Sequence, residues 1–512
     1  MKKMLLPFLT LAFIVASLGT IPAQADKASN TLVWATDREM TVPLVWWNST
    51  TEMASMMHHI FDTLIYRDPD TFEYKPLLAK SYKWIDNKTI EFDLRTDVVF
   101  HNGSKFDADD VVATYNNLIR KDAKVLARRF VGWIKSAEKL GDHKVRLNLG
   151  KPFPAALEYL SGTRMGIIPS EAWAAIKKDA AGKPDWSSVE PIGTGPYILE
   201  EWVQGERSVL KRNPKYFSGP KGKPSLEKII FRTIPDAEAQ VAELMTGSID
   251  WITSIPKDKA ADLKSVEQLK VINAPDLRVS FLQMDAINRS GDTPFSKLKV
   301  RQAVAHAIDR NAIAKGLVGD ASVVIHAPCF PDQFGCTTDV KKYEYDPAKA
   351  KKLLAEAGYP DGFTTDIYAY RQRAYTEATM EYLRKVGIKT NLKYLQFKAL
   401  RTAIRASKTP FNHLTWASGG LNDVSAIISI YFKHSKDDYC RDDKIKEYLD
   451  VADSTIDVAK RKEAYKQALT RIVDKLCWLP MYTYAKSYAF QKDLNFIPTA
   501  DGFPLFYRAS WK

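Results

Sequence analysis

Ile90, Phe92 and Leu94 alternate with Glu91, Asp93 and Arg95, so an extended chain here is apolar on one face and wet on the other. That period of two predicts a half-buried strand and is incompatible with an amphipathic helix. Asn102-Gly103 follows as a turn signal, predicted to supply the positive-φ residues that reverse the chain. The flanking segments carry a different period. Residues 52–64 place Met53, Met56, Met57, Ile60 and Leu64 on one side of a helix. Residues 107–120 begin acidic and then set Val111, Val112, Tyr115, Leu118 and Ile119 at helical spacing. Strands interleaved with helices predict an α/β fold.

The same alternation runs through the rest of the chain. Residues 31–35 (TLVWA) form a predicted buried strand, and residues 193–217 hold GTGPY, a strand pair and NPKYF. A helix over 235–247 ends in glycine and leads to a short strand at 249–252. Further on, Ser296 is the expected cap of a helix whose stripe is Val300, Ala303, Val304, Ala307 and Ile308. Asp346-Pro347 opens another helix and Gly358 closes it, the order that free amides at one end and free carbonyls at the other demand. Asp457 caps a longer helix with Tyr465, Ala468, Leu469, Ile472, Val473 and Leu476 facing inward. Strands are expected at 364–368 and 389–395.

A chain of 512 residues, 45% hydrophobic, can bury a large core and build two or three domains. Its formal charge of +13 comes from basic residues interleaved with 61 acidic ones. That dispersion reads as solvated surface, with a mild bias toward anionic ligands, and not as a nucleic-acid footprint. Lys2 and Lys3, the apolar run 4–18 and Ala23-Gln24-Ala25 have the order of an export signal. A mature chain starting near Asp26 follows, with 1–25 removed, no lipid-anchoring Cys near the cut and a periplasmic location. Four cysteines in an exported chain suggest two disulfides, with three pairings open. Spacing favours Cys329 with Cys336 and Cys440 with Cys477. A zinc site recruiting His326 beside Cys329 and Cys336 is the alternative, but the spacing fits no standard zinc module.

Ala79, Asp86, the 90–94 alternation, Arg95, Asp97, Val98, Phe100, Asn102 and Gly103 together resemble the signature of the family 5 extracellular solute-binding proteins. These are the peptide- and nickel-binding subunits of bacterial ABC importers. Residues 61–84, 106–118, 191–202, 236–251, 295–313, 346–363 and 478–490 resemble further blocks of that family in the same order. The resemblance implies a two-lobed periplasmic binding protein fold with an extra inserted domain and a ligand cleft between the lobes. Lobe I would comprise 26–66, 193–280 and 491–512, the inserted domain 67–192, and lobe III 281–490. It implies a monomer that closes over a short peptide or similar small solute and delivers it to permease subunits with a cytoplasmic ATPase. No cofactor or metal is expected.

Burying a peptide ammonium requires a carboxylate, since an unpaired charge in a closed cleft is costly. In peptide-binding relatives an aspartate after a Trp- and Gly-rich segment holds the amine, and Asp423 in LTWASGGLNDVS is the matching position. The chain departs from the family there, with Val424 where many relatives have Pro. A helix or turn cap is the plainer reading of Asp423. Trp416 is expected to line the cleft, and Trp46 and Trp47, shortly after Glu39, to form an aromatic wall. Arg401, with Arg405 four residues on, could hold an anionic end or simply face water. His58-His59 raises nickel, although one of two adjacent helical side chains normally points out. Other solutes compatible with the resemblance are nickel chelates, haem, glutathione, opines and oligosaccharides.

Catalysis has no support in the motifs. There is no G-x-S-x-G elbow, no H-E-x-x-H and no P-loop, because residues 219–225 (GPKGKPS) put Pro where a hydroxyl residue belongs. A protein that binds without turnover is expected.

Overall fold

The computed structural model describes residues 27–38, 44–47, 50–217 and 219–512. The export segment 1–25 and Glu39 lie outside the described residues. One mixed sheet of ten strands organises the chain. In chain order these are β1 (Thr31–Thr36), β2 (Tyr197–Val203), β3 (Arg207–Arg212), β4 (Lys228–Thr233) and β5 (Trp251–Thr253). Then come β6 (Leu269–Met284), β7 (Phe363–Ala369), β8 (Ile388–Tyr394), β9 (Phe411–Trp416) and β10 (Trp478–Gln491). Their spatial order is β8-β7-β9-β6-β10-β5-β1-β4-β3-β2. Every residue of β1 is buried, as a strand parallel to β4 and covered on both faces requires.

β6 and β10 are the long pair that both halves of the sheet share. They run antiparallel from Leu269↔Gln491 to Gln283↔Trp478. The start of β6 lies beside the end of β10, which pairs with β5, whereas the end of β6 pairs with β9. Between Asp276 and Val279 the register slips, leaving Leu277 and Arg278 without partners on β10. Such a bulge bends the strand and re-aims its side chains. It sits where one half-sheet passes into the other.

A second sheet contains the alternating stretch 90–94. Ala79–Asp86, Thr89–Leu94, Lys144–Leu149 and Ile134–Gly141 form four antiparallel strands. Ile90, Phe92 and Leu94 are buried while Glu91 and Asp93 are not, as the period of two predicts. Only Gly103 of the Asn102-Gly103 pair adopts a positive φ, +89°. Asn102 instead accepts from the Ser104 amide through its side chain at 3.1 Å, closing the turn by another route. The Ala108–Ile119 helix starts in a full capping box between Asp107 and Asp110. Asn116 pins it to Ala137 of the edge strand through two 2.9 Å hydrogen bonds.

Most of the predicted helices sit where their caps place them. Asp236, Asp346 and Asp457 each accept an amide at an N-terminus, and Gly247 ends the Ala237–Thr246 helix at φ +76°. Two differ. The first helix spans Thr51–Ile60, because Phe61 turns extended and Leu64 is buried beyond the helix end. Ser296 belongs to a short 3-10 turn capped by Thr293, and the following helix, Leu298–Ala307, begins after Lys297. Cys329–Cys336 and Cys440–Cys477 are bonded, with Cα atoms 5.8 and 5.4 Å apart, so neither thiol of the first pair is available as a zinc ligand. Among the described residues, no helix is long and apolar enough to cross a membrane.

One apolar core joins the first half-sheet to the four-stranded sheet, with Trp34 and Phe92 in the same cluster. Separate clusters serve the second half-sheet. A small one, Phe130 with Leu421 and Ala426, bridges the two bodies.

Candidate functional site

A cavity of about 460 Å³ opens at the bulge where the two half-sheets meet. It is built from segments far apart in sequence. β6 contributes Asp276 and Arg278, β10 contributes Lys486, and the first helix contributes Glu52 and Ser55. Arg371 follows the end of β7, Gly419 and Gly420 follow β9, and Arg129 and Arg164 come from short turns beside the four-stranded sheet. Because the bulge takes Arg278 out of register, its guanidinium donates to Thr415 Oγ1 at 3.1 Å and borders the cavity.

The site's charge is mixed with a basic excess. Among the described residues, no carboxylate lies within ion-pair distance of Arg129, Arg164, Arg278 or Arg371. Burial pulls the Arg164 guanidinium down to about 10, with the Arg129 charge adding to the effect. Arg129 and Arg371 are solvent-exposed, and partial desolvation within the cleft, joined at Arg371 by the Arg278 charge, lowers both. Arg129 and Arg164 lie 4.9 and 4.4 Å from the Phe130 ring centroid, a contact that offsets only part of the lost hydration. The cleft's four acids, Asp37, Glu52, Asp276 and Asp501, face six cations, the four guanidiniums above with Arg38 and Lys486. Asp501 is held by Arg67 at 2.6 Å, and Asp276 caps the Arg278 amide at 3.2 Å. Glu52 presents a buried Oε2 with no hydrogen-bond partner among the described residues. The arrangement can neutralise more than one carboxylate and, at Glu52, a cation.

The residues singled out in the sequence are placed differently. Asp423 is fully buried behind the cleft, where its carboxylate pairs with Arg461 at 2.8 Å and accepts from the Ser425 amide at 2.9 Å. Asp423 caps the short Val424–Ala426 turn, and its carboxylate is partnered within one body. Trp416 buttresses the wall without forming it: its indole donates to Ala426 O at 2.7 Å and faces Tyr431 edge-on. Trp46 and Trp47 sit in a turn, not on a strand, so both turn inward. Their indoles donate to Arg164 O and Ala123 O at 2.7 and 2.8 Å. They position the Arg164 turn and expose no aromatic wall. Arg401 and Arg405 share Asp437, at 3.3 and 3.0 Å, and do not border the cavity. His59 is held neutral by burial, with its pKa near 3, among Tyr197, Phe231, Phe506 and Tyr507. Arg129, Arg164, Arg278, Arg371 and Glu52 had no motif to mark them.

Two bodies already touch across the cleft. Asn422 N donates to Glu158 Oε1 at 2.6 Å, and Arg67 Nη1 donates to Gly420 O at 3.1 Å. Glu158 and Arg67 lie beside the four-stranded sheet, whereas 418–422 belongs to the second half-sheet. Residues 73–438 match the model of the bacterial extracellular solute-binding proteins, family 5. The chain belongs to this family. Heme-binding protein A of Haemophilus influenzae is 26% identical over 500 residues, covering 91% of this chain and 89% of that one. The dipeptide-binding protein of Escherichia coli is 30% identical over 383 residues, covering 70% and 69%. The solved structure of HbpA2 from Haemophilus parasuis superposes with a TM-score of 0.80 at 24% identity, covering 94% of this chain and all of that one. The fold is therefore the two-lobed α/β one; β6 and β10 are shared by both half-sheets, and the cavity lies where those half-sheets meet.

Proposed function

We propose that this chain is the periplasmic solute-binding subunit of an ABC importer. It captures short peptides by lobe closure and passes them unaltered to a membrane permease driven by a cytoplasmic ATPase. The observation that carries this reading is the set of four guanidiniums around one interlobe cavity that have no carboxylate within ion-pair distance among the described residues. Arg129 and Arg371 are exposed and Arg164 and Arg278 half-buried in the cleft; closing the lobes over them without a counter-charge is costly, and a solute carboxylate offsets that cost. Sheet membership supports lobe I as 26–66, 193–280 and 491–512, the inserted domain as 67–192, and lobe III as 281–490, with the crossing points inside β6 and β10. Glu52 replaces Asp423 as the group that receives a peptide ammonium. The protein acts as a monomer and as a carrier, not a catalyst.

Closure follows from differential contact: a solute touching Arg371 of one lobe and Arg164 beside the other stabilises only the shut form. A carboxylate-bearing non-peptide solute is the second reading, favoured by the near-full-length similarity to a heme-binding protein. Mass spectrometry of what the natively purified protein releases on denaturation tests the assignment. Short peptides support it. Recovery of a carboxylate-bearing non-peptide supports the second reading, and recovery of only an uncharged sugar or a cationic solute overturns both.

A further inference from the structure

A larger cavity, about 720 Å³, lies between residues 151–159 of the inserted domain and residues 425–461 of lobe III. That volume is within the range of small-molecule sites. One wall is rigid and apolar. Phe153, set between Pro152 and Pro154, stacks on Trp133 with ring centroids 4.9 Å apart and meets Tyr159 edge-on at 4.9 Å. The facing wall carries Ser429 and Ile430. Most of the chamber's charge is spent internally: Lys433 pairs with Asp450 and Asp453 at 2.7 and 2.9 Å, and Arg461 with Asp423. Arg129 and Lys151 remain without a carboxylate partner among the described residues. Arg129 also lines the central cleft, so the two cavities share one wall.

We infer that the solute site is bipartite: the chamber takes a large aromatic group from the same peptide whose carboxylates the cleft guanidiniums hold. The inference rests on the proposed function and adds a selectivity to it. An anionic peptide with small side chains fills only the central cleft. One carrying an aryl group also displaces water from a wall of proline and aromatic carbon, with Arg129 placed to hold the carboxylate between the two parts.

Calorimetric titration with glutathione and with S-benzylglutathione tests this, because the pair differs only by a benzyl group in place of the thiol hydrogen. The wild-type protein is expected to bind the benzyl conjugate at least about tenfold more tightly, the low end of what burying one phenyl ring gives. In Ser429→Trp, which fills the chamber, that gain should vanish while glutathione affinity stays within twofold. Phe153→Ala, which strips the aromatic wall without adding bulk, should reduce the gain as well. Equal wild-type affinities, or a gain that survives both substitutions, overturns the chamber and leaves the proposed function standing. If neither compound binds, the chamber assignment is overturned, and titration with Ala-Glu reads the proposed function separately.

Discussion

Glu158→Gln tests the interlobe contact with the least disturbance of shape. The Glu158 side chain is almost fully buried and accepts from Arg67 Nη1, from Tyr74 OH at 2.8 Å and from Asn422 N at 2.6 Å. Arg67 keeps Asp501 at 2.6 Å when the charge at 158 is lost. Tyr74 can rotate its hydroxyl to accept from the new amide. The contact that opening must break, Asn422 N to Glu158, therefore carries the effect. A hydrogen bond to a charged group is worth about 1.5–3 kcal/mol and one between neutral groups about 1 kcal/mol, so the closed form loses about 1 kcal/mol. That shifts the open–closed ratio about fivefold, and a solute that binds only the closed form loses up to the same factor in affinity. Calorimetry with the dipeptide Ala-Glu reads the affinity, and small-angle scattering of the free protein reads the ratio. Unchanged affinity together with an unchanged scattering profile would refute the idea that this bond holds the lobes together.

Three further outcomes follow from buried groups away from the cleft. Asp423→Asn leaves the Arg461 guanidinium uncompensated, and chemical denaturation should show a loss of about 3 kcal/mol. Ala-Glu affinity of the folded fraction should stay within twofold, and a selective loss of binding at full stability would return Asp423 to the site. Replacing Cys440 and Cys477 by Ser opens the longer loop, with a separation of 37 residues against 7 for the other pair. It should cost about 4 kcal/mol, against about 2 kcal/mol for the Cys329–Cys336 pair; the reverse order in denaturant midpoints contradicts the chain-entropy account. Asp250 is buried, accepts from the Val33 amide at 2.8 Å, and has its pKa pushed up to about 7 by burial. The folded state thus holds a proton that the unfolded chain releases near pH 4, so this group lowers stability as pH rises from about 4 to 7. Asp250→Asn should remove that slope, worth at most about 4 kcal/mol, in urea midpoints compared at pH 4.5 and 8. Parallel slopes in the two proteins contradict it.

Elements were legible in the sequence wherever one local force decides. The 90–94 alternation, the caps at Asp107, Asp346 and Asp457, and the terminal Gly247 all act within a few residues of themselves. Ser296 misled because Thr293 and Pro294 close a separate turn ahead of the helix. The site was less legible because its residues meet only through topology. Arg129, Arg164, Arg278 and Arg371 come from four segments and are four among 74 basic residues with no distinguishing spacing. Asp423 looked available because Arg461 stands 38 positions later, on a helix whose packing no local pattern reveals. The aromatic wall expected of Trp46 and Trp47 needs neighbouring side chains to alternate, and the turn at 44–47 removes that alternation.

The proposed function requires a clamp that shuts over a carboxylate-bearing guest. Small-angle scattering of the mature chain, free and saturated with Ala-Glu, tests this most directly, with Arg371→Ala measured alongside. A radius of gyration that falls on addition of the dipeptide, and does not fall in Arg371→Ala, is the predicted result. Identical profiles for the free and saturated wild-type protein would contradict it.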